Sequence, residues 1–294
     1  MRVAGGIALA VLLALAGLAL IWARGAGPAG VPFAVVDPGA IEVEEAEFES
    51  DGHRLVGRLF LPTVAVTATA VVLSNAGETG RRDGRISQLV AALTGAGVAV
   101  LLPDKRGTGG SEGDWRTSSY EALARDAGPA MAWMRTRHPD LPMTLIGVGE
   151  GGGIAPLAAQ AGAAPDRVLA LSGGIETAFE ALENDARERL RDRSLPPAMA
   201  ERLAPLVAWH RREVREAVLW AAIGDFDPAR FWEALDVPGL ILLGGADTAR
   251  AHLAGKVEVR RFPALDRDLR APGTDRLDPE VMALILRFAT EGSP

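Results

Sequence analysis

Hydrophobic positions change their rhythm along the chain, and each rhythm predicts an element. Ile41–Glu49 and Arg54–Leu61 alternate apolar and polar residues around the turn dipeptide Asp51-Gly52, which predicts an antiparallel hairpin. Five short, continuous apolar runs follow: Ala68–Leu73, Val98–Leu102, Met143–Gly147, Val168–Leu171 and Leu240–Leu243. Each ends in Gly-rich or polar residues, as parallel strands covered on both faces do. Lys256–Arg261 is expected to be the last strand. Helical spacing occupies Gly84–Gly95, Ser119–Arg137, Gly152–Ala163 and Asp278–Thr290, the last opening with Asp278 as cap and Pro279 at the first helical position. Strand and helix alternating in this way predict an α/β fold, a doubly wound and mostly parallel sheet with right-handed crossovers. Sites in such sheets gather at the carboxyl ends of the strands.

Two segments break the rhythm. Val3–Ala23 is 21 residues without a charge, flanked by Arg2 and Arg24. As a helix it would rise about 1.5 Å per residue and span roughly 30 Å, enough to cross a bilayer. Its length favours a membrane anchor; the Ala/Gly-rich stretch after it leaves a cleaved signal as the alternative. Either address exports the rest of the chain, anchored at the cytoplasmic (inner) membrane with its domain outside the cytoplasm, or periplasmic or secreted after cleavage. The second segment, Ile175–Trp232, is 58 residues of charge-rich helical sequence where a short crossover is expected. In it Met199, Leu203, Leu206, Val207, Val214 and Val218 recur largely at three- and four-residue steps, which predicts at least one amphipathic helix. An insertion after the sixth strand would cap the strand ends and control access to them. The expected organisation is therefore an anchor or signal over 1–24, a linker over 25–40, and a domain over 41–292 with a helical cap at about 175–232.

Composition narrows the chemistry. The absence of cysteine excludes disulfides, thiolate metal sites and a cysteine nucleophile. No His/Asp/Glu cluster shows metal-ligand spacing, so no metal or other cofactor is expected. A net charge of −7 argues against nucleic acid as a partner, although of 31 basic residues only Lys105 and Lys256 are not arginine.

The informative motif is Gly147-Val148-Gly149-Glu150-Gly151, which follows an expected strand and opens an expected helix. It has the spacing of the nucleophile elbow Gly-x-Ser-x-Gly, with glycine where the serine would stand. Gly147, Gly149 and Gly152 also fit a dinucleotide fingerprint, but that belongs after a first strand with an acid about 20 residues on, and here the downstream segment is Ala170-Leu171-Ser172-Gly173.

On these residues the chain resembles the α/β-hydrolase family, in particular bacterial carboxylesterases and serine-aminopeptidase-like hydrolases, over most of Ile41–Glu291. Glu150, Gly151 and Gly152 match the family's Gly-His-Ser-Glu-Gly-Gly elbow, while Val148 and Gly149 replace its His-Ser. Asp104 through Ser111 is similar to the Asp-x-Arg-Gly-x-Gly-x-Ser turn after the fourth strand. Ser74-Asn75-Ala76-Gly77 resembles the oxyanion loop, which implies that the amides of Ala76 and Glu150 form the oxyanion hole. Gly244-Gly245-Ala246-Asp247 is similar to the turn that supplies the triad acid, and the resemblance places the catalytic histidine at Arg267. None of the four histidines, His53, His138, His210 and His252, lies there. Of the triad only Asp247 survives, and it is expected to pair with Arg267.

The other polar residues have plainer roles. Arg106 and Ser111 are expected to form the turn, Ser74 and Ser172 to end strands with no base beside them, and His252 to be exposed. His210 is either a satisfied buried histidine or points into the pocket. Two functions compete on these grounds: a tethered or exported hydrolase-like protein that binds a small ligand or a protein partner without triad catalysis, or an ester or amide hydrolase that recruits another group such as Glu150, Ser74 or His210.

Overall fold

The computed structural model describes residues 42–74, 83–192, 195–245 and 256–292, together with Ala34 and Leu253. The hairpin is β1 (Glu42–Ser50) and β2 (His53–Leu61), paired antiparallel from Glu42↔Leu61 to Ser50↔His53. Asp51 (φ 47°) and Gly52 (φ 76°) both turn through left-handed backbone, the geometry whose twist matches a two-residue hairpin. The apolar runs become β3 (Ala68–Leu73), β4 (Val98–Pro103), β5 (Met143–Val148), β6 (Arg167–Leu171), β7 (Gly239–Gly244) and β8 (Val257–Phe262). The described strands form one sheet in the order β1-β2-β4-β3-β5-β6-β7-β8, antiparallel as far as the β2–β4 pair and parallel from β4 to β8.

The runs are continuous because both faces are covered. Val71, Leu101 and Leu145 pack one face against α2 (Tyr120–Arg137) and α3 (Glu150–Ala158). Their neighbours Val72, Val100 and Ile146 pack the other face against α1 (Gly84–Gly95) and α8 (Pro279–Glu291). Each fully buried Leu, Ile or Val contributes about 1.5–3 kcal/mol over leaving it in water. Side-chain caps fix where the helices begin. Asp83 accepts from the Arg85 amide at 2.8 Å, Ser119 from the Ala122 amide at 3.3 Å and Asp278 from the Glu280 amide at 2.9 Å. Helix α3 starts two residues before the expected Gly152 and runs on into a wider π turn, Ala159–Ala163.

Between β6 and β7 lie α4 (Ala178–Asp192), α5 (Pro197–His210), a π turn (Arg211–Arg215), α6 (Ala217–Ile223) and α7 (Ala229–Glu233). Their packing does not follow that apolar stripe. The buried face of α5 is Ala200, Ala204 and Ala208, set against Ala186, Leu190 and Leu182 of α4. Met199, Leu206, Val214 and Val218 are instead exposed, and Leu203 and Val207 only flank the seam. Alanines let the two backbones approach closely, and larger side chains would hold them apart.

Among the described residues no helix is long and apolar enough to cross a membrane. The segment expected to do so, Val3–Ala23, lies outside the described residues.

Candidate active site

The site is built where β5 meets α3. Gly149 joins them with φ 58° and ψ −116°, a conformation that a residue with a Cβ adopts only under strain. Packing explains the flanking glycines. A Cβ on Gly147 would come 2.1 Å from the Gly151 carbonyl oxygen, and one on Gly151 would come 2.4 Å from that of Leu73. The turn is pinned to the neighbouring strand by the Gly149 amide, which donates to the Leu171 carbonyl at 2.8 Å.

The ends of β7 and β8 converge beside it. The Gly245 amide donates to the Leu265 carbonyl at 2.8 Å, so the chain leading towards Asp247 lies against the loop that carries Arg267. Asp247 and Ala76 themselves, with His252, lie outside the described residues, and the expected Asp247–Arg267 pair and the Ala76 amide lie there with them. The partner the structure gives Arg267 is Glu176: Nη2 stands 3.0 Å from Oε1, with the Glu176 side chain 3% exposed. Glu176 was missed by sequence reasoning. Its signal is a lone acid in the apolar, glycine-rich stretch Gly173-Gly174-Ile175-Glu176, where a strand end passes into the cap.

Glu150, the first residue of α3, is tethered as well. Lys105 Nζ lies 2.6 Å from Oε2, and the Tyr120 hydroxyl donates to Oε1 at 3.1 Å. Burial, and then the Glu150 charge, push the Tyr120 phenol well above its ordinary pKa, so it stays a donor. The only hint of this cluster in the sequence is a lysine in a turn of a chain that otherwise uses arginine almost throughout. Arg106 is held by Asp126 at 2.7 Å and Asp51 at 2.8 Å, and the Ser111 hydroxyl donates to the Asp104 carbonyl at 2.8 Å. Both are pins of the turn after β4.

Above Gly149 lies a cavity of about 680 Å³. Gly149, Glu150 and Ser172 line it from the strand ends, Arg267 from the side, and Leu182 and Ile223 from the cap helices. His210 ends α5 half-buried and is not among the lining residues, and Ser74 is buried at the end of β3 beside a separate small pocket. The strand ends bring two ion-paired carboxylates, Glu150 and Glu176, to a cavity whose cap side mixes apolar residues such as Leu182 and Ile223 with charged ones such as Asp185, Arg211 and Glu216.

A family model described as serine aminopeptidase, S33, matches residues 68–191. An uncharacterised protein of Mycobacterium tuberculosis is 32% identical over 173 residues, which cover 56% of this chain and 59% of that protein. Human monoglyceride lipase is 34% identical over 111 residues, 37% of this chain and 36% of the lipase. The chain thus spans less than two thirds of the length of these curated relatives. Among solved structures, an esterase of Pyrococcus furiosus superposes with a TM-score of 0.58 at 17% identity, over 82% of this chain and 91% of the esterase.

Proposed function

We propose that this chain, which has the α/β-hydrolase fold, is a member of that family that holds a small ligand under its cap without triad catalysis. One observation carries the reading: the backbone at Gly149 has the turn that would present a nucleophile to the cavity, and the residue there has no side chain. The lack of an imidazole at Arg267 supports it, because a guanidinium stays charged at every working pH and cannot serve as a general base. Loss of triad members leaves other enzymes about 10³–10⁴-fold over water, from binding and the oxyanion hole alone. A substitute nucleophile at Glu150 is disfavoured, since that carboxylate is already held by Lys105 and Tyr120. The relatives named as a lipase and an esterase support an ester-like molecule, or a fragment of one, as the ligand class. The uncharged stretch Val3–Ala23 between two arginines supports a tether that keeps the domain outside the cytoplasm.

The test uses the purified protein with p-nitrophenyl acetate and a fluorophosphonate probe. The expected outcome is no burst, turnover no faster than a mock preparation, and no covalent labelling. A stoichiometric burst, or a labelled serine, overturns the reading.

A further inference from the structure

The cap carries an apolar face that the described residues leave uncovered. Of the seven large hydrophobic residues that stand exposed among the described residues, five lie between Met199 and Val218. Three of them, Met199, Leu206 and Trp209, belong to α5 and are 51%, 41% and 53% exposed. At about 100° of turn per residue they fall within roughly 80° of one another, on the side of the helix away from the buried Ala200, Ala204 and Ala208. Packing against α4 explains one face of α5 and leaves the other. The charges are sorted in the same way. Glu201, the acid of α5, is turned towards α4, where it meets Arg187 at 2.7 Å and Arg191 at 2.6 Å. Arg202 is the charge on the exposed face, and Glu213, in the turn beyond, is paired with Arg212 at 3.3 Å. Apolar residues with a tryptophan and an arginine among them suit a helix that lies in a membrane interface.

The path of the chain gives this face a neighbour. Ala34, ahead of the hairpin, is held at the cavity end of the domain: its amide donates to the Asp275 carbonyl at 2.9 Å, and its carbonyl accepts from the Gln88 side chain at 2.9 Å. On the same helix, one turn nearer the strand ends, Arg85 pairs with Asp268 and lines the cavity beneath the cap. The uncharged stretch Val3–Ala23 ends eleven residues before Ala34. Eleven residues reach at most about 40 Å when fully extended. A bilayer crossed by that stretch therefore lies close to the end of the domain that bears the cap. We propose that the exposed face of α5, Met199, Leu206 and Trp209 with Arg202, rests in the surface of that lipid bilayer, so that the domain is fixed to the membrane at two places. The proposal rests on the tether in the reading above and not on the loss of triad chemistry. Three such side chains form a weak anchor by themselves, each contributing about 1.5–3 kcal/mol at most. A short linker keeps them near the surface at an effective concentration on the order of millimolar, so a weak contact is enough. A second copy of the chain suits the face less well, because it would bury Arg202 of both copies against a helix face without an acid.

The experiment uses the full chain, reconstituted in vesicles of phosphatidylcholine and phosphatidylglycerol with and without bromine on the acyl chains. The chain has no cysteine, so Leu206→Cys and, as reference, Val64→Cys each take a single bimane label. Val64 is 57% exposed but lies between β2 and β3, at the amino end of the parallel strands. Flotation with the vesicles reads the tether, and bromine quenching reads the cap. The label at position 206 is expected to be quenched about twofold or more, and the label at 64 to be unchanged. Adding Trp209→Glu is expected to reduce the quenching at 206 by about half or more while flotation is kept. Met199→Cys, labelled in the same way, repeats the reading should the variant at 206 fold poorly. In a chain that floats, quenching at 206 no greater than at 64 overturns the proposal. So does a blue-shifted label at 206 that bromine does not reach, which marks a contact with protein. A chain that does not float overturns the tether and this proposal with it, and the fluorophosphonate result stands apart from both.

Discussion

Gly149 and Ser172 stand at the ends of adjacent strands in similarly unusual backbone, φ 58° and φ 61°, and differ in whether a side chain is present. That contrast gives stability changes of opposite sign. Gly149→Ala should cost about 1–3 kcal/mol, because its φ/ψ pair is hostile to a Cβ. Ser172→Gly should gain about 1 kcal/mol, because the cost of a side chain at positive φ is removed. At about 2–4 °C per kcal/mol for a domain of this size, thermal unfolding followed by circular dichroism resolves both. A fall in melting temperature for Ser172→Gly would show that the Ser172 side chain stabilises the fold by more than its backbone strain costs. The glycine spacing at 147, 149 and 151 was legible because each glycine answers a local backbone demand. Glu150's bond to Lys105 was not, since it joins residues 45 positions apart. Ser172 was seen only as a strand end, because its φ is a product of the assembled sheet.

Elements were legible where one periodicity served one environment. Buried strands read as unbroken apolar runs, and Asp278 with Pro279 announced the start of the last helix. The α4–α5 seam was illegible by the same rule, since its contacts are alanines while the conspicuous Met199 and Leu206 face outward. The β1–β2 hairpin is fixed by charge as well as pattern. Asp51, at its tip, accepts from Arg125 on α2 and from Arg106 after β4. Those bonds, Arg125's first and then Arg106's, hold the carboxyl at about 2, down from 3.8. A folded-state pKa below the unfolded one contributes stability that is present above about pH 4 and lost as the pH falls through 2. Asp51→Asn should therefore be less stable than the parent at pH 6 in urea unfolding, with the gap closing towards pH 2. Asparagine tolerates the left-handed backbone at this position, so the difference reads the charge. A gap that stays constant from pH 6 to pH 2 would assign the effect to packing.

The sheet brings together chain segments far apart in sequence: the elbow after β5, Ser172 after β6, Gly245 after β7 and Arg267 after β8. Because strand order and crossover hand place those ends, the scaffold does not depend on which side chains occupy them. This makes introducing a serine and a histidine a fair test of the proposed reading. Gly149→Ser alone adds a hydroxyl without a base, and Arg267→His alone adds a base without a nucleophile, so each should remain at background. Together they should raise p-nitrophenyl acetate hydrolysis by about tenfold or more over either single variant, with fluorophosphonate labelling at position 149, since general base catalysis contributes on the order of 10²–10⁴-fold in a well-formed site. The double variant carries two costs. The elbow regains its backbone strain, and Glu176 loses the guanidinium that meets its buried charge, although an imidazole at 267 can take up part of that role. A folded double variant, shown so by its circular dichroism, with activity no higher than the singles would mean that more than two side chains separates this cavity from an esterase.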